Sequence, residues 1–418
     1  MKRKLRIAVF AHEFPALSET FVLNQVTGLI DQGHDVTVFA ERPRPEPQVH
    51  ADVQRYGLQS LTRYPKLPGN LAHRGLRAFG LAARVAGSNP LRLASCLDVR
   101  RFGREAASGR LLYWGACLAR EKPFDIVLAH FGPVGQLAAT LRDAGLLQGK
   151  LATVMHGVDV SAYLKEDRDA YRDLFDKGEL FLPISEVWRD KLLELGCPAE
   201  KAAVHHMGVD TARYRYLPRR RAADAPLKLL TVGRLVEKKG VADALRALAR
   251  MLEAGQDARY RIIGDGPLRQ ELEELRDALG LQEQVRFLGW REQQSVIGQM
   301  QDCDILLAPS VTTESGDQEG IPVTLMEAMA SGMIVVSTWH SGIPELVEDG
   351  VSGLLVEEGD TEALTAALLR LARSDVTSWT AFSEAARARV LEAFDVTRLN
   401  LLLTGRFNGL LMQQSAAA

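Results

Sequence analysis

The sequence predicts an α/β protein built from two parallel-sheet domains. Three observations carry that prediction. Short β-branched runs alternate with longer amphipathic helical patterns, the signature of βαβ units. The alternation occurs in two series, separated by a polar, proline-flanked stretch at residues 211–226 that contains Pro218, Arg219, Arg220, Arg221 and Pro226. The residues suited to binding a ligand fall directly after predicted strands, where open α/β sheets hold their ligands.

In the first series the strands are expected at residues 5–10, 35–39, 125–129, 151–155 and 180–183, with an amphipathic helix over 21–32 that Gly33 stops. Residues 42–47, RPRPEP, are too rich in proline for either element and read as loop. In the second series strands are expected at 228–232, 260–263, 285–288, 304–308, 334–337 and 353–356, and helices at 241–253, 267–279 and 361–373. The domain boundaries follow: 1–210 for the first domain, 211–226 for the linker, 227–377 for the second domain, and 378–418 for a helical segment that packs back on the first.

The 418 residues, 46% hydrophobic and 25% charged, supply ample apolar material for two cores. A formal net charge of −2 argues against a general nucleic-acid binder. Charge is unevenly spread: residues 63–122 hold twelve basic and three acidic residues. Within that window, LRAFGLAARV at 76–85 mixes basic and apolar residues as membrane-surface helices do, with an ordinary solvated face as the plain alternative. Cys96, Cys117, Cys197 and Cys303 form no metal or redox spacing and read as small buried residues of a reducing compartment. The opening MKRKLRIAVF has too short an apolar run for a signal peptide and reads as the first strand. A cytoplasmic protein, peripheral at most to the inner membrane face, is expected.

The densest chemistry lies between Glu319 and Glu345. Glu319 and Glu327 flank Gly320-Ile321-Pro322-Val323, which reads as a loop entering a helix near Pro322. Free N–H groups at a helix start favour an anion, phosphate above all. A phosphate seat with a carboxylate on each side suits a ligand carrying both phosphates and sugar hydroxyls. Gly233-Arg234-Leu235-Val236-Glu237-Lys238-Lys239-Gly240 follows a strand. Arg234 and Lys239 there can neutralise a diphosphate, with a solvated basic loop as the plain alternative and Lys238 the more solvent-facing lysine. Gly264-Asp265-Gly266 permits close backbone approach, although a plain tight turn is the more frequent explanation. Gly289 and Trp290 stand at the next strand end, with backbone groups available to a nucleobase and the Trp290 ring expected to pack.

In the first half, His156-Gly157-Val158-Asp159 follows a strand, and its histidine can hydrogen-bond a sugar hydroxyl or serve the fold. Ser18, Glu19 and Thr20 read first as the cap of the 21–32 helix and second as a loop lining the ligand cleft. No Gly-x-Gly follows the first strand, so the dinucleotide fingerprint is missing. His205-His206 reads as structural, and Asp302-Cys303-Asp304 runs straight into a buried strand, so no metal ligation is expected there.

Taken together, GRLVEKKG at 233–240, the Glu319/Glu327 pair followed by Ala-Met-Ala, and GIPE at 342–345 resemble the retaining glycosyltransferases of family 4, which have the GT-B fold. FPALSETFVLNQ at 14–25 is similar to the exopolysaccharide branch, including colanic-acid and amylovoran enzymes. The resemblance implies two Rossmann-like domains facing across a cleft and a nucleotide-sugar donor held by the second. It implies Arg234 and Lys239 on the diphosphate, Glu327 on ribose hydroxyls, Glu319 at the transferred sugar and His156 beside it. Gly233, Gly266, Trp290, Gly320, Ile321, Pro322 and Val323 complete the donor set; Ser18, Glu19, Thr20 and Asp159 stand with His156 on the acceptor side. The family works without cofactor or metal and retains anomeric configuration. A UDP-hexose donor and a polyprenyl-diphosphate-linked oligosaccharide acceptor are the expected substrates. This chain departs from many relatives in having Gly-Ile-Pro-Val rather than Gly-Phe-Gly-Leu after the first glutamate. A sugar-nucleotide epimerase or sugar-phosphate synthase of the same fold, and a binding protein without turnover, are the rival readings.

Overall fold

The computed structural model describes residues 3–16, 19–44, 51–68, 70–161, 169–220 and 225–417. The chain divides into two compact units, the first comprising Met1–Pro183, Arg189–His205 and Asn400–Ala418, the second Ile184–Trp188 and His206–Leu399.

Unit 1 is built on a six-stranded sheet of β1 (Arg6–Glu13), β2 (Asp35–Arg42), β3 (Thr62–Arg63), β4 (Ile126–His130), β5 (Lys150–Met155) and β6 (Leu180–Pro183), in the order β3-β2-β1-β4-β5-β6. Every pairing is parallel, with β1 in register from Arg6↔Asp35 on one side and Ile7↔Ile126 on the other. Strand β4 is buried along its whole length, as a strand covered on both faces must be. The expected strands all form; β3 was not expected, because two residues carry no periodicity. Between β3 and β4 the chain inserts four helices, Leu71–Ser88, Pro90–Leu97, Val99–Ala107 and Arg110–Leu118.

Unit 2 repeats the plan with β7 (Leu227–Val232), β8 (Ala258–Ile263), β9 (Val285–Gly289), β10 (Ile305–Ala308), β11 (Ile334–Thr338) and β12 (Leu354–Val356), in the order β12-β11-β10-β7-β8-β9 and again all parallel. Alternate side chains of each strand enter two cores. One face packs Leu229, Ile262, Leu307 and Val336 against the Val241–Glu253 and Thr361–Arg373 helices. The other packs Leu230, Ile263, Leu306 and Val335 against Leu325, Met326 and Met329 of the Val323–Ser331 helix.

The chain returns to unit 1 through the Val396–Ala417 helix. From Asn400 onward this helix belongs to unit 1: Thr404 Oγ1 donates to Gln32 Oε1 at 2.8 Å, and the Arg406 guanidinium donates to the carbonyls of Ala203 and Val204 at 3.0 and 2.6 Å. Where described, the 211–226 stretch belongs to unit 2; residues 221–224 lie outside the described residues. Tyr214 and Arg219 are 3% and 6% exposed, so this stretch is packed rather than free. Of the proline-rich 42–47 stretch, Arg42 ends β2 and residues 45–47 are not described.

Candidate active site

In unit 2 the loops after β7, β10, β11 and β12 converge. Gly240 makes this approach possible: its φ is +61°, and a Cβ there would lie 1.8 Å from the Pro309 carbonyl oxygen. Val311 N–H then donates to the Lys238 carbonyl at 3.0 Å, tying the loop after β10 to the loop after β7.

Lys239 Nζ stands 3.0 Å from Glu319 Oε2, and Lys238 Nζ stands 3.0 Å from Asp317 Oδ2 and 3.7 Å from Glu319 Oε1. The two lysine side chains are 24% and 18% exposed, so Lys238 is barely more open than Lys239 and joins the cluster instead of facing solvent. Arg234, beside them, is exposed and makes no side-chain hydrogen bond or ion pair among the described residues.

The Val323–Ser331 helix starts one residue later than expected, with Pro322 as its N-cap at φ −62° and ψ 124°. Leu325 N–H donates to the Pro322 carbonyl at 3.0 Å. The amides of Val323 and Thr324 have no acceptor inside the helix. Pro322 itself, at the N-cap, has no N–H to offer there. Ile321 is 2% exposed and packs beneath Gly342, whose missing side chain would meet it at 2.8 Å. Gly320 joins this turn to Glu319.

Glu327, one turn into the helix, accepts a 2.6 Å hydrogen bond from the Tyr214 hydroxyl. Burial pushes its carboxyl up to about 7, and the Tyr214 bond pulls the other way. Three buried polar atoms of these loops, Ser310 Oγ, Asp317 Oδ1 and Ser341 Oγ, have no hydrogen-bond partner among the described residues. Ser341 also adopts a left-handed φ of 47°. Unsatisfied groups and backbone strain of this kind gather at functional sites.

Other expectations need adjustment. At Gly264 and Gly266 the close approach is made by the protein's own backbone: Cβ atoms there would lie 1.8 Å from the Gly233 oxygen and 2.4 Å from the Leu235 oxygen. Trp290 is 57% exposed, so its ring is not packed as expected. Glu345 proves to be a tether: its Oε1 accepts from Glu186 N–H and its Oε2 bonds His206 Nε2, both at 2.8 Å. Asp304 Oδ2 accepts from Lys228 N–H at 3.0 Å and so braces the start of β7. Among the described residues no group of three or more His, Cys, Asp or Glu is placed to hold a metal ion.

In unit 1, His156 follows β5 and lies 3.1 Å, Nε2 to Nδ1, from His130 at the end of β4. Phe21 and Phe131 close around it with ring centroids at 4.5 and 4.3 Å. Burial pushes both imidazoles down, His130 to about 3, so the pair is neutral. Asp159 is 3% exposed, and its carboxylate accepts from the N–H groups of Gly132 and His156, each at 2.9 Å. It therefore braces His156. Burial raises it to about 6 despite those bonds.

Phe131 has φ 73° and ψ 144°, a conformation that non-glycine residues seldom adopt. It lines a cavity of about 850 Å³ with His12, Glu19, Glu41, Glu105, Arg110 and Leu137. Arg110 holds Glu41 and Glu105 in ion pairs across it. Glu19, one of the three residues expected to cap it, is the N-cap of the Thr20–Asp31 helix, but its side chain makes no capping bond; Ser18 lies outside the described residues. His130, Tyr214 and His340 were absent from the sequence reading, since each acts through a partner on another element, 113 residues away for Tyr214 and 18 to 26 for the two histidines.

Residues 216–389 match the family of glycosyl transferases group 1, and residues 18–213 match Glycosyltransferase Family 4. The chain is 40% identical over 402 residues to the putative colanic acid biosynthesis glycosyltransferase WcaL of Salmonella typhimurium, covering 95% of this chain and 98% of that one. It is 42% identical over 379 residues to the amylovoran biosynthesis glycosyltransferase AmsK of Erwinia amylovora, covering 89% and 91%. Among solved structures it is similar to Anabaena HepE, crystallised with UDP and glucose, at a TM-score of 0.71 and 18% identity over 97% of this chain and 100% of that one. The lipopolysaccharide outer core galactosyltransferase WaaB gives a TM-score of 0.65 at 19% identity, with 98% and 100% covered. The two parallel six-stranded sheets thus have the GT-B architecture, and the chain is a family 4 glycosyltransferase.

Proposed function

We propose that this enzyme moves a hexosyl group from a UDP-hexose to a polyprenyl-diphosphate-linked oligosaccharide in exopolysaccharide assembly, with retention of configuration. The observation that carries the donor half is the cluster of Lys238, Lys239 and Glu319, paired at 3.0 to 3.7 Å before the N-terminus of the Val323–Ser331 helix. A diphosphate competes with Glu319 for the Lys239 ammonium. Binding therefore transfers the cation to phosphate and releases the Glu319 carboxylate to the sugar. Arg234 adds a second cation, and both offset the charge that develops on the departing diphosphate. Glu327 takes ribose hydroxyls with the oxygen that Tyr214 leaves open. On the acceptor side, the unit 1 cavity beside His156 combines apolar walls with carboxylates able to pair with sugar hydroxyls.

The relatives' roles in colanic acid and amylovoran synthesis support the exopolysaccharide assignment. Support for a lipid-linked acceptor comes from the helices inserted after β3. Leu76 and Phe79 are 81% and 87% exposed there, among the exposed Arg77, Arg84, Arg100 and Arg101. Cations around exposed apolar side chains complement an anionic bilayer. Among the described residues no helix is long and apolar enough to cross a membrane.

A thermal-shift panel of UDP, GDP, UDP-glucose and UDP-galactose tests the donor half, because a ligand of the folded state raises its melting temperature. UDP and one UDP-hexose should stabilise the protein equally with and without EDTA, and Arg234→Ala or Lys239→Ala should remove most of the shift. If no nucleoside diphosphate moves the melting temperature, the proposal fails.

A further inference from the structure

His340, which no part of the expected site included, sits just after β11 and is fully buried. Its Nε2 accepts the backbone N–H of Glu319 at 3.0 Å. An amide can only donate, so Nε2 carries no proton. Nδ1 therefore holds the ring hydrogen and donates it to Glu358 Oε1 at 2.6 Å. Glu358 follows β12 and is itself held from the other side: its Oε2 accepts Thr312 N–H at 2.6 Å, and its Oε1 accepts the Thr312 hydroxyl at 3.3 Å. Burial alone would raise the Glu358 carboxyl, but the bonds from Thr312 and His340 outweigh it and hold it below its ordinary value.

The result is a closed circuit across the ends of three neighbouring strands. Thr312 and Glu319 both belong to the loop between β10 and the Val323–Ser331 helix. That loop is gripped at one end by Glu358 and at the other by His340, which Glu358 orients. Within it, Thr313 Oγ1 accepts Asp317 N–H at 2.9 Å, so the segment between the two grips is itself folded tightly. The charged side of Glu319 is meanwhile free to exchange partners, since among the described residues only lysines hold it. Backbone fixed and side chain exchangeable is the arrangement a carboxylate needs if it must meet a reacting carbon in one place.

We propose that His340, locked as the Nδ1–H tautomer by Glu358, is a positioning residue that sets the backbone of Glu319 for sugar transfer. This rests on the reading above that Glu319 reaches the transferred sugar. A displacement of about 1 Å at such a group can cost on the order of a hundredfold in rate.

Two substitutions separate positioning from mere packing. His340→Asn places its amide N–H where Nδ1 was, keeping the bond to Glu358 and losing Glu319. His340→Gln reaches to the Nε2 position with its carbonyl and keeps Glu319. Two readouts apply. In the full-length protein labelled with ¹⁵N-histidine, the signal lost in both variants should be the only trace of His340 and should have the Nδ1–H pattern. In turnover, followed as UDP release from the UDP-hexose that stabilises the wild type, His340→Asn should lower kcat about a hundredfold. His340→Gln should recover at least tenfold of that loss, and UDP affinity should stay within about threefold of wild type in both. Glu358→Gln should fall between them.

An Nε2–H pattern for His340 overturns the proposal. So do equal kcat values for the Asn and Gln variants, or losses that follow UDP affinity or melting temperature in place of kcat. If the wild type binds no nucleotide of the panel, it is the donor reading that fails, and the nitrogen spectrum still decides the tautomer.

Discussion

Replacing Glu327 by glutamine should stabilise the protein, and more so as the pH rises. Burial pushes the Glu327 carboxyl from 4.5 up to about 7, against the opposing hydrogen bond from Tyr214. A carboxyl whose folded value lies above its unfolded one binds more protons when folded. Its favourable contribution is complete below about pH 4.5 and is lost as the pH rises through about 7. The difference between those two values corresponds to about 3 kcal/mol. Glutamine still offers an oxygen to Tyr214 and does not titrate. The stability gap between Glu327→Gln and wild type should therefore widen by about 2 to 3 kcal/mol between pH 5 and pH 8. For a domain of this size that amounts to roughly 4 to 12 °C in melting temperature. Urea denaturation of both proteins at half-unit pH steps measures it directly. Parallel stability curves across the range would refute the reasoning, because they would mean that the folded environment does not penalise the ionised carboxylate.

Glu319→Ala should lower kcat by about a hundredfold or more while changing UDP affinity only a few-fold, as an interaction made at the reacting sugar requires; a loss confined to nucleotide affinity would move Glu319 to the diphosphate. Glu345→Ala should destabilise unit 2 by about 1 to 3 kcal/mol, since it strands the Glu186 amide and His206, without altering UDP affinity once folded. Co-sedimentation with vesicles should require anionic lipid and be lost after charge reversal of Arg77, Arg84, Arg100 and Arg101. Phe79→Ser should weaken it at unchanged charge. Binding that ignores all five changes removes the membrane surface proposed for unit 1.

Much of the fold was legible in local pattern. Strand β6 and the Val241–Glu253 and Thr361–Arg373 helices have the limits their periodicity predicts, the last helped by Asp360, whose side chain accepts from Ala363 N–H as a helix cap. The other expected strands differ by a few residues at their ends. The segments that carry Lys239 and Glu319 were legible too, one following β7 and the other preceding the Val323–Ser331 helix, but not that the two side chains pair. What escaped was pairing. Glu327 announces an acid near a helix start, but not that Tyr214 holds it from 113 positions away. His156 reads as a strand-end histidine, but not as one half of a stacked pair with His130. The Ser18–Thr20 cap was inferred from residue type alone, and Glu19 takes the cap position but without making the side-chain bond.

The residue types and their spacing thus determined the two series of strands, the glycosyltransferase family and the segments that bear charge. Hydrophobic period and turn chemistry act over a few residues and are written in order along the chain. Only the tertiary structure decided that His340 sits between Glu319 and Glu358, that Glu345 braces Glu186, and that the Lys238 ammonium reaches Asp317. The reason is sheet order. With β12, β11, β10 and β7 side by side, loops separated by about 20 to 80 residues in sequence become neighbours, and which polar groups meet there depends on register and twist that no single segment encodes.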